Sequence, residues 1–129
     1  MAGGARPPPQ RKRDSGAVTA ETAVVLPALV VVLVLCLWSV TVVGQQLQCI
    51  DAARTGARAL ARGESSALAR AAAQRAAPDG AIVTLHEADG LAVVEVRSGA
   101  GMPGPGGPSV QIGSRAVAAM EAEVRGGGP

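Results

Sequence analysis

Between Thr22 and Gly44 the chain carries 23 consecutive residues without a formal charge, most of them Val, Leu and Ala. Wound as a helix, this run extends about 34 Å, enough to cross the hydrocarbon core of a bilayer. A cleaved secretory signal shares the basic start found here, but its apolar stretch is about 7 to 15 residues long and ends at a small-residue site. Here the run ends in Gly44-Gln45-Gln46-Leu47-Gln48, a poor signal-peptidase site, and Gln48 is too large to precede a lipidated Cys49. The run reads as a single membrane-spanning helix.

Charge orients it. Arg6, Arg11, Lys12 and Arg13 against Asp14 leave +3 in the first 16 residues, and the remaining eight basic and nine acidic residues sum to −1. A basic stretch just before the span places the N-terminus in the cytoplasm and the C-terminal domain beyond the cytoplasmic membrane. Arg54, Arg58 and Arg62 on the far side work against this and are partly offset by Asp51 and Glu64. So divided, the charge leaves no basic surface for nucleic acid. The one aromatic residue, Trp38, offers no base-stacking platform. A core without Phe or Tyr is also thin, so the exported part is expected to lean on a partner or neighbouring subunit.

Nothing points to catalysis, a cofactor, a metal or a small-molecule substrate. His86 is the only histidine and reads as a solvated strand residue, without partners for acid–base or metal chemistry. Cys36 and Cys49 are thirteen residues apart in what reads as one helix, about 20 Å, too far for an internal disulfide. Their simplest reading is as two buried small hydrophobes, with a cross-link between subunits as the alternative.

The stretch Ser15-Gly16-Ala17-Val18-Thr19-Ala20-Glu21-Thr22 sets a lone carboxylate at the edge of the apolar run, five residues after a glycine. No other acid lies between Glu21 and Asp51. An ionised Glu against hydrocarbon costs a few kcal/mol unless it meets a positive group. A cut between Gly16 and Ala17 would create such a group, an α-amine one helical turn from Glu21. Pro27, early in the apolar run, marks a helix kink.

This pattern resembles a type IV prepilin processing site. More narrowly, the run from Gly16 through Pro27 to Ala28 and the segment Asp51 to Gly63 are similar to the TadE-like minor pilins of tight-adherence (Tad/Flp) pilus systems. Thr22 stands where that family usually has an aromatic residue. The resemblance implies processing after Gly16 by a prepilin peptidase, with Gly16 and Ala17 as the processing site. It also implies Ala17 and Glu21 as the subunit-assembly pair, and a role in pilus assembly at the envelope or on a cell-surface pilus. The implied partners are the membrane, the peptidase, other pilin subunits and the assembly machinery. The abundance of Ala, Arg, Gly and Pro suits a high-GC bacterium. The alternative is an uncleaved single-pass membrane protein whose exported domain binds or scaffolds other envelope proteins.

The fold class is α+β: a long N-terminal transmembrane helix continuing into an exported helix, then a small antiparallel sheet of two to three strands. Residues 1–16 form the leader, 17–44 the pilin N-terminal helix, 45–77 the exported helical segment, 78–125 the β-domain and 126–129 a disordered tail. Leu47, Ile50, Ala53, Ala57, Leu60 and Ala61 recur at helical spacing as the expected core face, with Arg54, Arg58 and Arg62 on another. Gly63 suits a helix C-cap, and Ser65 or Ser66 starts a second helix through about Ala77. Ala81–Ala88 and Leu91–Arg97 flank Asp89-Gly90, a pair favoured in two-residue type I′ turns. Pairing Ala88 with Leu91 puts Val83, Leu85, Ala92, Val94 and Val96 on one face. Residues 99–108 read as a Gly/Pro loop, and Ser109 to about Val117 as a third strand.

Overall fold

A computed structural model describes residues 3–7 and 11–120. The tail expected at 126–129 lies outside the described residues, as do the side chains of residues 11–13. The order of elements is α1 (Arg11–Ala61), α2 (Ser66–Ala76), β1 (Ile82–Ala88), β2 (Leu91–Gly101) and β3 (Ser109–Ala119). One long apolar helix and a three-stranded antiparallel sheet make this an α+β chain. The chain divides into two units, residues 1–37 and 38–129.

In the first unit α1 begins at Arg11, six residues before the expected start at Ala17. Asp14 stands in its first turn, where a negative charge complements the unsatisfied amides of a helix start. Val24, Val25, Leu26 and every residue from Leu29 to Leu35 are exposed. Consecutive positions cover all sides of a helix, so this segment is apolar all round, as membrane-spanning helices are. α1 is the one described helix long and apolar enough to cross a bilayer. It runs on through Pro27, whose missing N–H leaves the carbonyl of Ala23 without its usual donor.

The second unit packs the end of α1 and all of α2 on one face of the sheet. Strand order is β1-β2-β3, both pairs antiparallel. Asp89 and Gly90 take φ values of 54° and 73°, the left-handed pair that a type I′ turn demands. The register follows as expected: Ala88 opposite Leu91, Leu85 opposite Val94, Val83 opposite Val96. Val83, Ala92, Val94 and Val96 are buried, with Leu85 packed against them.

α1 ends where Gly63 reaches φ 80°. Its amide donates to Leu60 O at 2.9 Å and the Glu64 amide to Ala59 O at 3.1 Å, the two bonds of a Schellman cap. Ser65 then caps α2, its hydroxyl accepting from the Leu68 amide at 3.3 Å. Pro78 stops α2 close behind, and the Gln74 side chain donates to Ala81 O at 2.9 Å, tying the helix to the start of β1.

Three expectations need correction. The buried face of α1 is Cys49, Ala52, Ala53, Gly56, Ala57, Ala59 and Leu60, whereas Leu47 and Ala61 are exposed. A position facing a nearby sheet admits only small side chains, so bulk made Leu47 a misleading guide. Second, β2 runs four residues past Arg97, and the loop shrinks to residues 102–108. Gly99, Ala100 and Gly101 stay in the ladder opposite Gln111, Val110 and Ser109, with Ala100 buried. The prolines that break a ladder begin only at Pro103. Third, Cys49 is buried but Cys36 is exposed.

Gly56 decides how close α1 comes to the sheet. A Cβ built there would stand 3.0 Å from Val94 Cγ1 and 3.1 Å from Ala73 Cβ, so α1, α2 and β2 meet over a bare backbone. Both neighbours are fully buried and have no room to retreat. Gly56→Leu is therefore expected to cost 3 kcal/mol or more, about the upper range of overpacking. Hydrogen exchange of the β2 amides in detergent micelles would show lost protection while the membrane helix stays protected.

Candidate functional site

Gly16, Ala17, Glu21 and Pro27 all lie on α1, and all four are exposed. Gly16 has nothing within 4 Å of where a Cβ would stand, so no packing requires a glycine there. In a helix interior Gly is weaker than Ala by about 1 kcal/mol. The neighbouring threonines add to this local weakness. Thr19 Oγ1 donates to Ser15 O at 2.8 Å and Thr22 Oγ1 to Val18 O at 2.9 Å, back-bonds that compete with the helix ladder. The Gly16–Ala17 bond thus sits in a helical but easily opened turn.

Glu21 is one turn from Ala17, about 6 Å along the axis, on the same side of the helix. No described residue pairs with it. Thr22 opens the uncharged run directly after it, so the carboxylate stands at the edge of the apolar segment. A group so placed gains from any cation that reaches it, and within one chain none of the described residues supplies one.

The second unit carries surfaces that sequence reasoning left unassigned. On the outer sheet face, Arg97 donates through Nε and Nη2 to Glu95 Oε1, at 2.7 and 2.6 Å. With Gln111 and Arg115 these residues border an open trough of about 400 Å³ over Gly113. Gly113 O accepts from Gln46 Nε2 at 3.0 Å, which ties β3 to α1. Alternation of polar residues on β3 was the available signal, but it required knowing that β2 extends to Gly101. His86 is exposed opposite Val93, as its strand parity predicts. Among the described residues, no three His, Cys, Asp or Glu side chains gather as metal ligands would.

Cys49 lies in the core, and burial pushes its thiol pKa up. A thiol reagent should therefore modify Cys49 only after the second unit is unfolded by denaturant, as intact-mass measurement would reveal. Modification at the native rate of a free thiol would mean the helix–sheet contact opens readily.

Residues 16–58 match the profile of the family described as TadE-like protein. The apoptosis inhibitor Rv3655c of Mycobacterium tuberculosis is 39% identical over 101 residues, covering 78% of this chain and 77% of the relative. No solved structure matches the chain.

Proposed function

This chain belongs to the TadE-like family, and from that premise we propose that it is a minor pilin or pseudopilin, cut between Gly16 and Ala17 by a prepilin peptidase. It enters Tad-type pilus assembly at the cell envelope. The observation that carries this reading is Glu21, an exposed carboxylate at the head of an all-round apolar helix, unpaired among the described residues and one turn from the bond to be cut.

The chemistry is direct. Hydrolysis of the Gly16–Ala17 amide removes the basic leader and leaves a protonated α-amine on Ala17. Glu21, formerly ten residues inside α1, then stands in the early turns of the shortened helix, where a negative charge is favoured. The amine of a neighbouring copy neutralises it and fixes the axial offset between the two helices. Their apolar faces then cover each other as the subunits leave the lipid. Before the cut, the leader's positive charges hold the N-terminus in the cytoplasm and the C-terminal unit outside. The partners that follow are the prepilin peptidase, other pilin subunits and the assembly machinery. Weakening of the helix ladder at Pro27 lets neighbouring helices adjust their packing.

The relative's name favours a second reading, suppression of cell death. That activity would reside in the folded C-terminal unit and would survive loss of the assembly pair, which separates the two.

Chain recovered from the native membrane should have an N-terminal mass beginning at Ala17, with or without a methyl group. A chain that always keeps residues 1–16 would mean an uncleaved anchor with a partner-binding domain. Glu21→Ala should leave membrane insertion unchanged and lower incorporation into filaments by about tenfold or more, the effect of losing one desolvated charge pair.

A further inference from the structure

A groove of about 220 Å³ runs between the end of α1 and β3. Its floor is small and apolar, made by Ala57, Ala61, Val117 and Ala118, and Arg54 and Arg58 stand along one wall. Neither guanidinium has an ion-pair partner among the described residues, unlike Arg62, paired with Glu64, and Arg97, paired with Glu95. Among the described residues β3 has no strand beyond it. Gly113 O points away from β2, toward Gln46. The alternation of an antiparallel ladder therefore turns the N–H and C=O of Arg115 and Val117 to the same open edge. Two free cations, an apolar floor and unpaired backbone groups call for an acidic, partly apolar segment in turn or extended form.

Lipid headgroups fit less well. Arg54 lies ten residues past Gly44, about 15 Å along the helix, whereas the headgroup layer adds only about 5 to 8 Å to each side of the hydrocarbon. The chain itself has a segment of the required chemistry. The β1–β2 turn presents Glu87, Ala88, Asp89 and Leu91, all exposed, and neither acid has a partner among the described residues. Through Ala119, which pairs with Leu91, and Val117, which pairs with Val93, the groove and this turn belong to the same end of the sheet. Within one copy the two patches form no ion pair among the described residues, but two copies related by a twofold axis can exchange them.

We propose that the second units of two copies associate reciprocally, the Glu87–Asp89 turn of each entering the Arg54/Arg58 groove of the other. Both acids then meet the two arginines, and Ala88 and Leu91 cover the alanine floor. The contact does not depend on the cut after Gly16, so it holds for the full chain and the processed one alike. It thus stands apart from the Ala17–Glu21 pairing.

The test uses full-length protein in phosphatidylcholine vesicles, mixed from ¹⁵N-labelled and unlabelled copies, with a benzophenone amino acid at the exposed position of Ala61. The expected product is a mixed-isotope cross-link from residue 61 to residues 85–91. A cross-link only to lipid, only to residues 121–129 of the same copy, or to no second copy overturns the proposal. Charge exchange gives an independent arm. Arg54→Glu with Arg58→Glu in one chain, and Glu87→Arg with Asp89→Asn in another, should each lose the homotypic cross-link by about tenfold. Mixing the two should restore it, because both contacts are then complementary. Asparagine at 89 tolerates the positive φ of the turn, so the hairpin is kept. Unchanged yields in the single variants, or no recovery on mixing, would refute the charge exchange.

Discussion

A core without large side chains closes only if backbones come close together, and that constraint shapes everything beyond the membrane segment. The largest fully buried side chains are Val94, Val96 and Cys49. The helices answer them with alanine and with Gly56, whose missing side chain lets α1 lie directly on Val94. Such a core buries little apolar area per residue, so its net stabilisation over conformational entropy is small. Two features lower what it must offset. α1 needs no separate nucleation near Cys49, because the same helix is already wound through an apolar run whose backbone bonds must be made in lipid. The tight turn at Asp89-Gly90 closes β1 on β2 with the shortest loop available.

How much of this was legible depended on whether identity or size was the deciding quantity. Asp89-Gly90 specifies a turn by backbone conformation, which few residue types can adopt, and so the register of β1 on β2 followed residue by residue. The Gly63 and Ser65 caps were legible for the same reason. The face of α1 was not, because helical spacing ranks Leu47 above Cys49 or Gly56, whereas the sheet selects whichever residue lets it approach. Gly99 and Gly101 misled in the opposite sense. Glycine next to prolines reads as loop, yet on the outer face of β2 a missing side chain costs only entropy, and buried Ala100 holds the strand in place.

At the other end of α1 the logic is electrostatic. The membrane segment tolerates no charge for 23 residues, and Glu21 sits directly before it. A carboxylate with no use would have been cheaper as Gln or Ala, since even at a bilayer edge some hydration is lost. Gly16 and the back-bonding of Thr19 and Thr22 weaken the preceding turn of the helix. Under the proposed processing, a cut in this weakened turn would create the partner of an acid four residues later.

The two modes of association differ in what they can specify. Apolar helices such as 22–44 cover one another with little preference for offset or angle, because a face of Val and Leu is much the same one turn along. Charge pairs are selective: a displacement of a single turn separates an ammonium from its carboxylate by about 5.4 Å and forfeits most of the gain. In the proposed assembly Glu21 would therefore set the axial offset that the apolar faces leave open. The groove beside Arg54 and Arg58 would fix rotation, since it admits the acidic turn from one side only. A filament subunit needs offset and rotation both defined, and the two proposed contacts would set one charged pair at each end of a helix that could define neither alone.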